Sequence, residues 1–183
     1  MRKVFIAFFV AIIGMTILLG SVQADQLKKI GASAWEPESG DYFVVDTTEN
    51  AGYLVHADNS SYYKFQVITG QQRYVWYIGR SYFAATPERT WEVESAETKG
   101  DRVTFGPAGT FLRLFYEGES TAYGIHSHKY VQEMFEKGNR YQSMGCIIVK
   151  DNFLNLIHRT FELNDNYLRV ITTKDANGFE FLN

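Results

Sequence analysis

One cysteine, Cys146, and four histidines are the residues in this chain best suited to nucleophilic chemistry. A thiol attacks as its thiolate, and at its ordinary pKa it needs a neighbouring base. Read alone, Cys146 is also compatible with a small buried apolar residue, since free cysteines are often buried and inert. Its surroundings favour reactivity. In "SMGCI", Ser143 to Ile147, Gly145 directly precedes the thiol, where the backbone can turn sharply or approach a substrate closely. The successive N–H groups of Met144, Gly145 and Cys146 in such a turn can converge on a developing oxyanion.

"YGIHSH", Tyr123 to His128, offers the base. His126 and His128 lie where a strand ends and a loop begins, a common setting for catalytic groups. Ser127 between them is either an orienting group or a helix N-cap. His56, in an upstream strand, and His158, in the last helix, read as structural or surface residues.

These groups need a scaffold, and the pattern around them is mainly β. From Tyr42 onward, short alternating or apolar runs are separated by turn residues. Strands are expected at Tyr42–Asp46, Gly52–Ala57, Tyr62–Thr69, Tyr74–Ile78, Thr90–Glu94, Arg102–Phe105, Phe111–Tyr116 and Ala122–Ser127, with a last one at Tyr167–Thr172. Trp76 and Trp91 alternate within strands and are expected in the core. Two stretches have helical spacing. His128–Gly138 is a short helix ended by Gly138. Asp151–Leu163 carries Phe153, Leu154, Ile157 and Phe161 on one stripe, with Asp151 as its N-cap. The fold class is mainly β with two short helices, a sandwich or partly closed barrel, and Cys146 on a loop near a strand end.

The rest of the chain sets limits. Its 183 residues, 45% hydrophobic and 16% aromatic, suffice for one core and fall short of two ordinary domains. Residues 1–24 read as a signal peptide or an N-terminal anchor: Arg2 and Lys3, an apolar run from Val4 to Leu19, then "VQA" before Asp25. Membrane contact is expected only if that segment stays uncleaved. Residues 25–40 are a polar spacer, 41–173 the folded domain and 174–183 a tail that can add a short strand at "FEFL". The expected location is outside the cytoplasm, in a periplasm or cell envelope. With one cysteine there is no internal disulfide, so the fold stands on its core. The net charge of −3 and the lack of a basic run argue against nucleic acid.

Taken together, His126-Ser127, a spacer from His128 to Gln142, and Ser143-Met144-Gly145-Cys146-Ile147 resemble the signature of the L,D-transpeptidase catalytic domain (YkuD type). "FQVITG" (Phe65–Gly70) and "ATPERTWEV" (Ala85–Val93) resemble the family's Thr-Gly strand and its Thr-Pro stretch. The likeness runs from about Gly40 to Thr173. Met144 stands where many members have histidine, and Ile148 where many have Arg or Asn. Arg140, His128 and Lys129 are candidates for the polar contact missing at 148.

The resemblance implies a cysteine acyltransferase of bacterial peptidoglycan. Cys146 is the implied nucleophile, His126 the base, Ser127 the group that orients the imidazole, and Gly145, Met144 and Ser143 the oxyanion loop, with Arg140 and His128 toward substrate. The implied partner is a peptidoglycan stem peptide, and no obligate protein partner is inferred. An amine acceptor gives a cross-link, and water gives L,D-carboxypeptidation. A non-catalytic wall-binding relative is the other reading of the same fold. The implied chemistry requires no metal or organic cofactor, and "HSH" alone supplies at most two ligands.

Overall fold

The computed structural model describes residues 35–176 apart from position 78, together with the Lys28–Lys29 strand. Residues 1–24 and the "FEFL" stretch of the tail lie outside the described residues. Among the described residues nine strands form one sheet. In spatial order they are β1 (Lys28–Lys29), β4 (Ser61–Gln66), β3 (Ala51–Val55), β2 (Tyr42–Asp46), β13 (Leu168–Thr173), β8 (Arg89–Thr98), β9 (Thr110–Tyr116), β10 (Glu119–His126) and β12 (Ile147–Ile148). The pairs β5 (Thr69–Gly70) with β11 (Tyr141–Ser143) and β6 (Tyr74–Tyr77) with β7 (Arg80–Phe83) form two small ribbons. The large sheet curls into half a barrel, the partly closed form that the strand pattern allows. Among the described residues there are two helices, α1 (Val131–Glu136) and α2 (Asp151–Leu163).

The core follows from side-chain period. On α2, Leu154, Ile157 and Phe161 recur at helical spacing and are buried against Phe43, Leu54, Trp91, Leu112 and Ile125 of the sheet. β2 and β3 are buried at every position because both of their faces are covered. On the side away from α2, Val44, Tyr53 and Val55 pack with Ala176. His56 is structural, as expected: its Nδ1 lies 2.9 Å from Asp41 and its ring stacks on Trp35.

Three expectations are corrected, and some strands were not expected. Arg102–Phe105 is a run of turns, because the Asp101 carboxylate accepts from the Val103 and Thr104 N–H groups at 2.9 and 3.1 Å and bends the chain. Asp151 is the first helical residue of α2, and the cap position is Lys150, without a side-chain bond. Trp91 is fully buried, whereas Trp76 is 73% exposed on the β6–β7 ribbon. That ribbon pairs only with itself and so has one face in solvent. Finally, β7, β11 and β12 are strands that the apolar pattern does not announce. None of the described helices is long and apolar enough to cross a membrane.

Candidate active site

β10 and β12 run parallel, with Ile125 opposite Ile147 and His126 opposite Ile148. One residue earlier on both strands, Gly124 is level with Cys146. Side chains alternate between faces along a strand. Ile125 and Ile147 therefore enter the core, and Cys146 and His126 share the opposite face on neighbouring strands. The sequence brackets these two residues with a helix and a loop, and the parallel pairing closes that distance.

His126 is held from several sides. It is 3% exposed, and its Nδ1 lies 2.6 Å from the Ser127 carbonyl. A carbonyl only accepts, so Nδ1 carries the proton and Nε2 is left as the basic nitrogen. The rings of Phe105 and Phe111 flank the imidazole at centroid distances of 5.1 and 5.9 Å. Phe105 comes from the 101–109 turns, which are fastened by the Lys129 N–H to Val103 carbonyl bond of 2.9 Å. Burial lowers the His126 pKa below its ordinary value, while the Ser127 and Thr104 carbonyls pull the other way. The ring is thus neutral at neutral pH. Ser127 acts on it through its backbone, and the Ser127 hydroxyl is buried with no hydrogen-bond partner among the described residues.

Cys146 is half-buried by exposed area, yet its sulfur sits among densely packed atoms, and that packing is what an ionising thiol experiences. Sγ lies 3.9 Å from the Ala122 carbonyl. Burial pushes the thiol up to about 11, opposed by the Gly124 backbone and the Arg113 charge. At neutral pH the two groups are thus a thiol and a neutral imidazole on one face of the sheet, with no ion pair between them.

The loop before Cys146 is set by a chain of hydrogen bonds. Ser143 Oγ donates to the Cys146 carbonyl at 2.6 Å and accepts from the Gly145 N–H at 3.1 Å. Gly145 has φ of +114°, and a Cβ there would collide with the Tyr123 ring, so glycine is needed for both conformation and space. Thr86 Oγ1 donates to the Gly145 carbonyl at 2.9 Å and accepts from the Gly70 N–H at 2.9 Å. Tyr82 Oη donates to the Met144 carbonyl at 3.0 Å, and Gln71 Nε2 reaches Met144 Sδ at 3.5 Å. The N–H groups of Met144 and Cys146 make no hydrogen bond among the described residues.

The other sequence candidates are committed elsewhere. Arg140 donates to the Phe135 carbonyl and to Gln66, and its guanidinium covers the Phe135 ring, so it braces α1. His128 Nδ1 accepts from the Tyr130 N–H at 3.1 Å in the turn that leads into α1. Lys129 lies over the Tyr130 ring. Ile148 packs with Ile68, Val131 and Phe135 beneath α1, a pocket in which a polar group would be stranded. Sequence reasoning missed Thr86, Tyr82 and Arg113. The Thr86-Pro87 pair within the matched stretch was the available signal for the first, and nothing local marked the other two.

Among the described residues no group of three or more His, Cys, Asp or Glu side chains converges as a metal site would. A family model described as the L,D-transpeptidase catalytic domain matches residues 40–164. No curated protein matches the chain. Among solved structures, an L,D-transpeptidase from Xylanimonas cellulosilytica is similar at 17% identity and a TM-score of 0.53, covering 76% of this chain and 63% of that one. A mutant of the helical cell shape determining protein Pgp2 from Campylobacter jejuni is similar at 16% identity and a TM-score of 0.50, covering 77% of this chain and 49% of that one. The chain thus spans between about half and two-thirds of these structures, a likeness that shows the fold. Cys146, His126 and the loop that joins them all fall inside the matched range, and the chain belongs to the L,D-transpeptidase catalytic domain family.

Proposed function

We propose that this chain is an exported cysteine acyltransferase of peptidoglycan stem peptides, with Cys146 as nucleophile and His126 as base. One observation carries the reading. Cys146 and His126 share a face of adjacent parallel strands, and the Ser127 carbonyl holds the imidazole with Nε2 basic. The basic, apolar and small-residue order of the first 24 residues supports export.

In the proposed reaction Sγ gives its proton to His126 Nε2 and attacks the carbonyl of the L-centre residue that precedes a D-amino acid. The carbonyl electrons move to oxygen, where the open N–H groups of Met144 and Cys146 support the reading of this loop as an oxyanion site. Collapse breaks the C–N bond. His126 returns its proton to the departing amine, and a thioester remains on Cys146. An amine of a neighbouring stem then displaces sulfur and forms the cross-link; water in its place releases a shortened stem.

Incubation of the full chain with tetrapeptide muropeptides, wild type against Cys146→Ala, tests this. Dimers joined between third residues, absent with the variant, support transpeptidation. Tripeptides alone, again absent with the variant, identify water as the acceptor. Identical mixtures in both samples overturn the proposal for this substrate.

A further inference from the structure

A cation stands two strands from the thiol, outside the cysteine's own motif. β9 and β10 pair with Arg113 opposite Gly124, and β10 and β12 pair with Gly124 level with Cys146. Paired residues point to the same face of a sheet. Arg113 and Cys146 therefore flank a position that has no side chain, on the face that holds His126. The Phe111 ring leans across Gly124, where any Cβ would collide with it, and the Arg113 guanidinium lies 5.1 Å from the centre of that ring.

The guanidinium is fixed in place. Glu97 of β8 accepts from Nε and, at 3.0 Å, from Nη2. Nη1 donates to the Thr121 carbonyl. β10 changes register between Ser120 and Gly124, and this bulge directs the carbonyls of Thr121 to Arg113 and of Ala122 to Cys146. Lys99 binds the same Glu97 carboxylate, so the trio keeps a net positive charge. A forked cation held by a carboxylate and a carbonyl loses little further freedom when a charge develops beside it.

We propose that Arg113 is the positioning cation of this site, facing the Cys146 sulfur across Gly124 and stabilising the thiolate as His126 takes its proton. The inference rests on Cys146 being the nucleophile. Titratable groups that bear on the thiol are Tyr82 from β7, Arg113 from β9, and Tyr123 and His126 from β10, with Glu97 of β8 behind Arg113. Tyr82 and His126 are neutral at neutral pH, and Arg113 is the charge that acts on the sulfur. It supplies the polar contact that Ile148 lacks, from a different strand.

The test uses the chain's one cysteine. Iodoacetamide alkylation of the full chain is followed from about pH 6 to about pH 10 for wild type, Arg113→Met and Arg113→Lys; over this range the rate tracks the thiolate fraction, so each pH unit added to the thiol midpoint reads as an about tenfold slower reaction. Arg113→Met is expected to raise the midpoint by about one pH unit, and Arg113→Lys to recover at least about half of that shift. An unmoved midpoint in folded Arg113→Met overturns the proposal. If losing the Arg113 partner of Glu97 prevents folding, the double variant Glu97→Gln/Arg113→Met removes the orphaned charge. The same upward shift is expected there, and no shift overturns the proposal. The alkylation readout needs no substrate. A shifted midpoint in a chain without Cys146-dependent turnover would remove the proposed enzyme function while keeping Arg113 beside the thiol.

Discussion

Along β9, β10 and β12, alternate residues pass to opposite sides of the sheet. Toward α2 stand Leu112, Leu114, Ile125 and Ile147, all fully buried and packed with Leu154 and Ile157. On the other side stand Phe111, Arg113, His126 and Cys146, where each polar group is pinned by a carbonyl, a carboxylate or an aromatic ring. The same backbone serves both sets. Strand parity, not distance along the chain, separates the residues that hold the fold from those assigned to the proposed reaction. A single-residue slip of β12 would send Cys146 into the core and expose Ile147.

The sharpest way to separate the two sides is to change one residue on each. On the side of the proposed site, His126→Gln removes the proposed base while keeping a polar group of similar size. Muropeptide turnover is expected to fall on the order of 10²–10⁴-fold, with the chain still folded. Turnover within a factor of a few of wild type would deny His126 its role. On the core side, Ile147→Ala leaves a cavity under α2. It should cost about 2–4 kcal/mol in a denaturant melt, with the pH midpoint of Cys146 alkylation unchanged. A moved midpoint would show that the two faces are coupled.

Thr86→Val probes the support of the loop. It deletes the hydroxyl that serves both the Gly70 N–H and the Gly145 carbonyl. A loss of about 1–3 kcal/mol is expected, with slower alkylation of Cys146 as its loop relaxes. Full stability would show that the two backbone groups find other partners.

The pH dependence of stability is a smaller effect. His126 is held below its ordinary value of 6.5 chiefly by burial. Between its folded pKa and 6.5 the unfolded chain binds the extra proton. The contribution is therefore complete above about pH 6.5 and declines as the pH falls below it. Wild-type Tm should drop from about pH 7.5 to about pH 5.5, and His126→Gln should narrow that drop. An equal drop in both chains would contradict a neutral buried imidazole. Trp76→Ala should matter least: at 73% exposure it is expected to shift stability by no more than about 0.5 kcal/mol.

Sequence alone made Cys146 and His126 candidates, because both halves of that signature are short local motifs, and the strand register then put them on one face. Sequence also carried α2 at Asp151–Leu163, whose apolar stripe repeats at the helical period, and most of the long strands. It misread Arg102–Phe105, where one carboxylate bonding to two N–H groups outweighs a run of β-formers. It misplaced Trp76, because alternation marks a strand without saying whether anything covers it.

Tertiary structure alone decided what surrounds the thiol. Thr86, Tyr82 and Arg113 reach Cys146 and its loop from strands or loops distant in sequence, and no periodicity in the chain points at those meetings. It likewise took Arg140 and His128 out of the candidate site and set Ile148 beneath a helix. The physical reason is common to these cases. Residue type and spacing are written locally, whereas the register of non-neighbouring strands is fixed only when the whole sheet forms and chooses which side chains share a face.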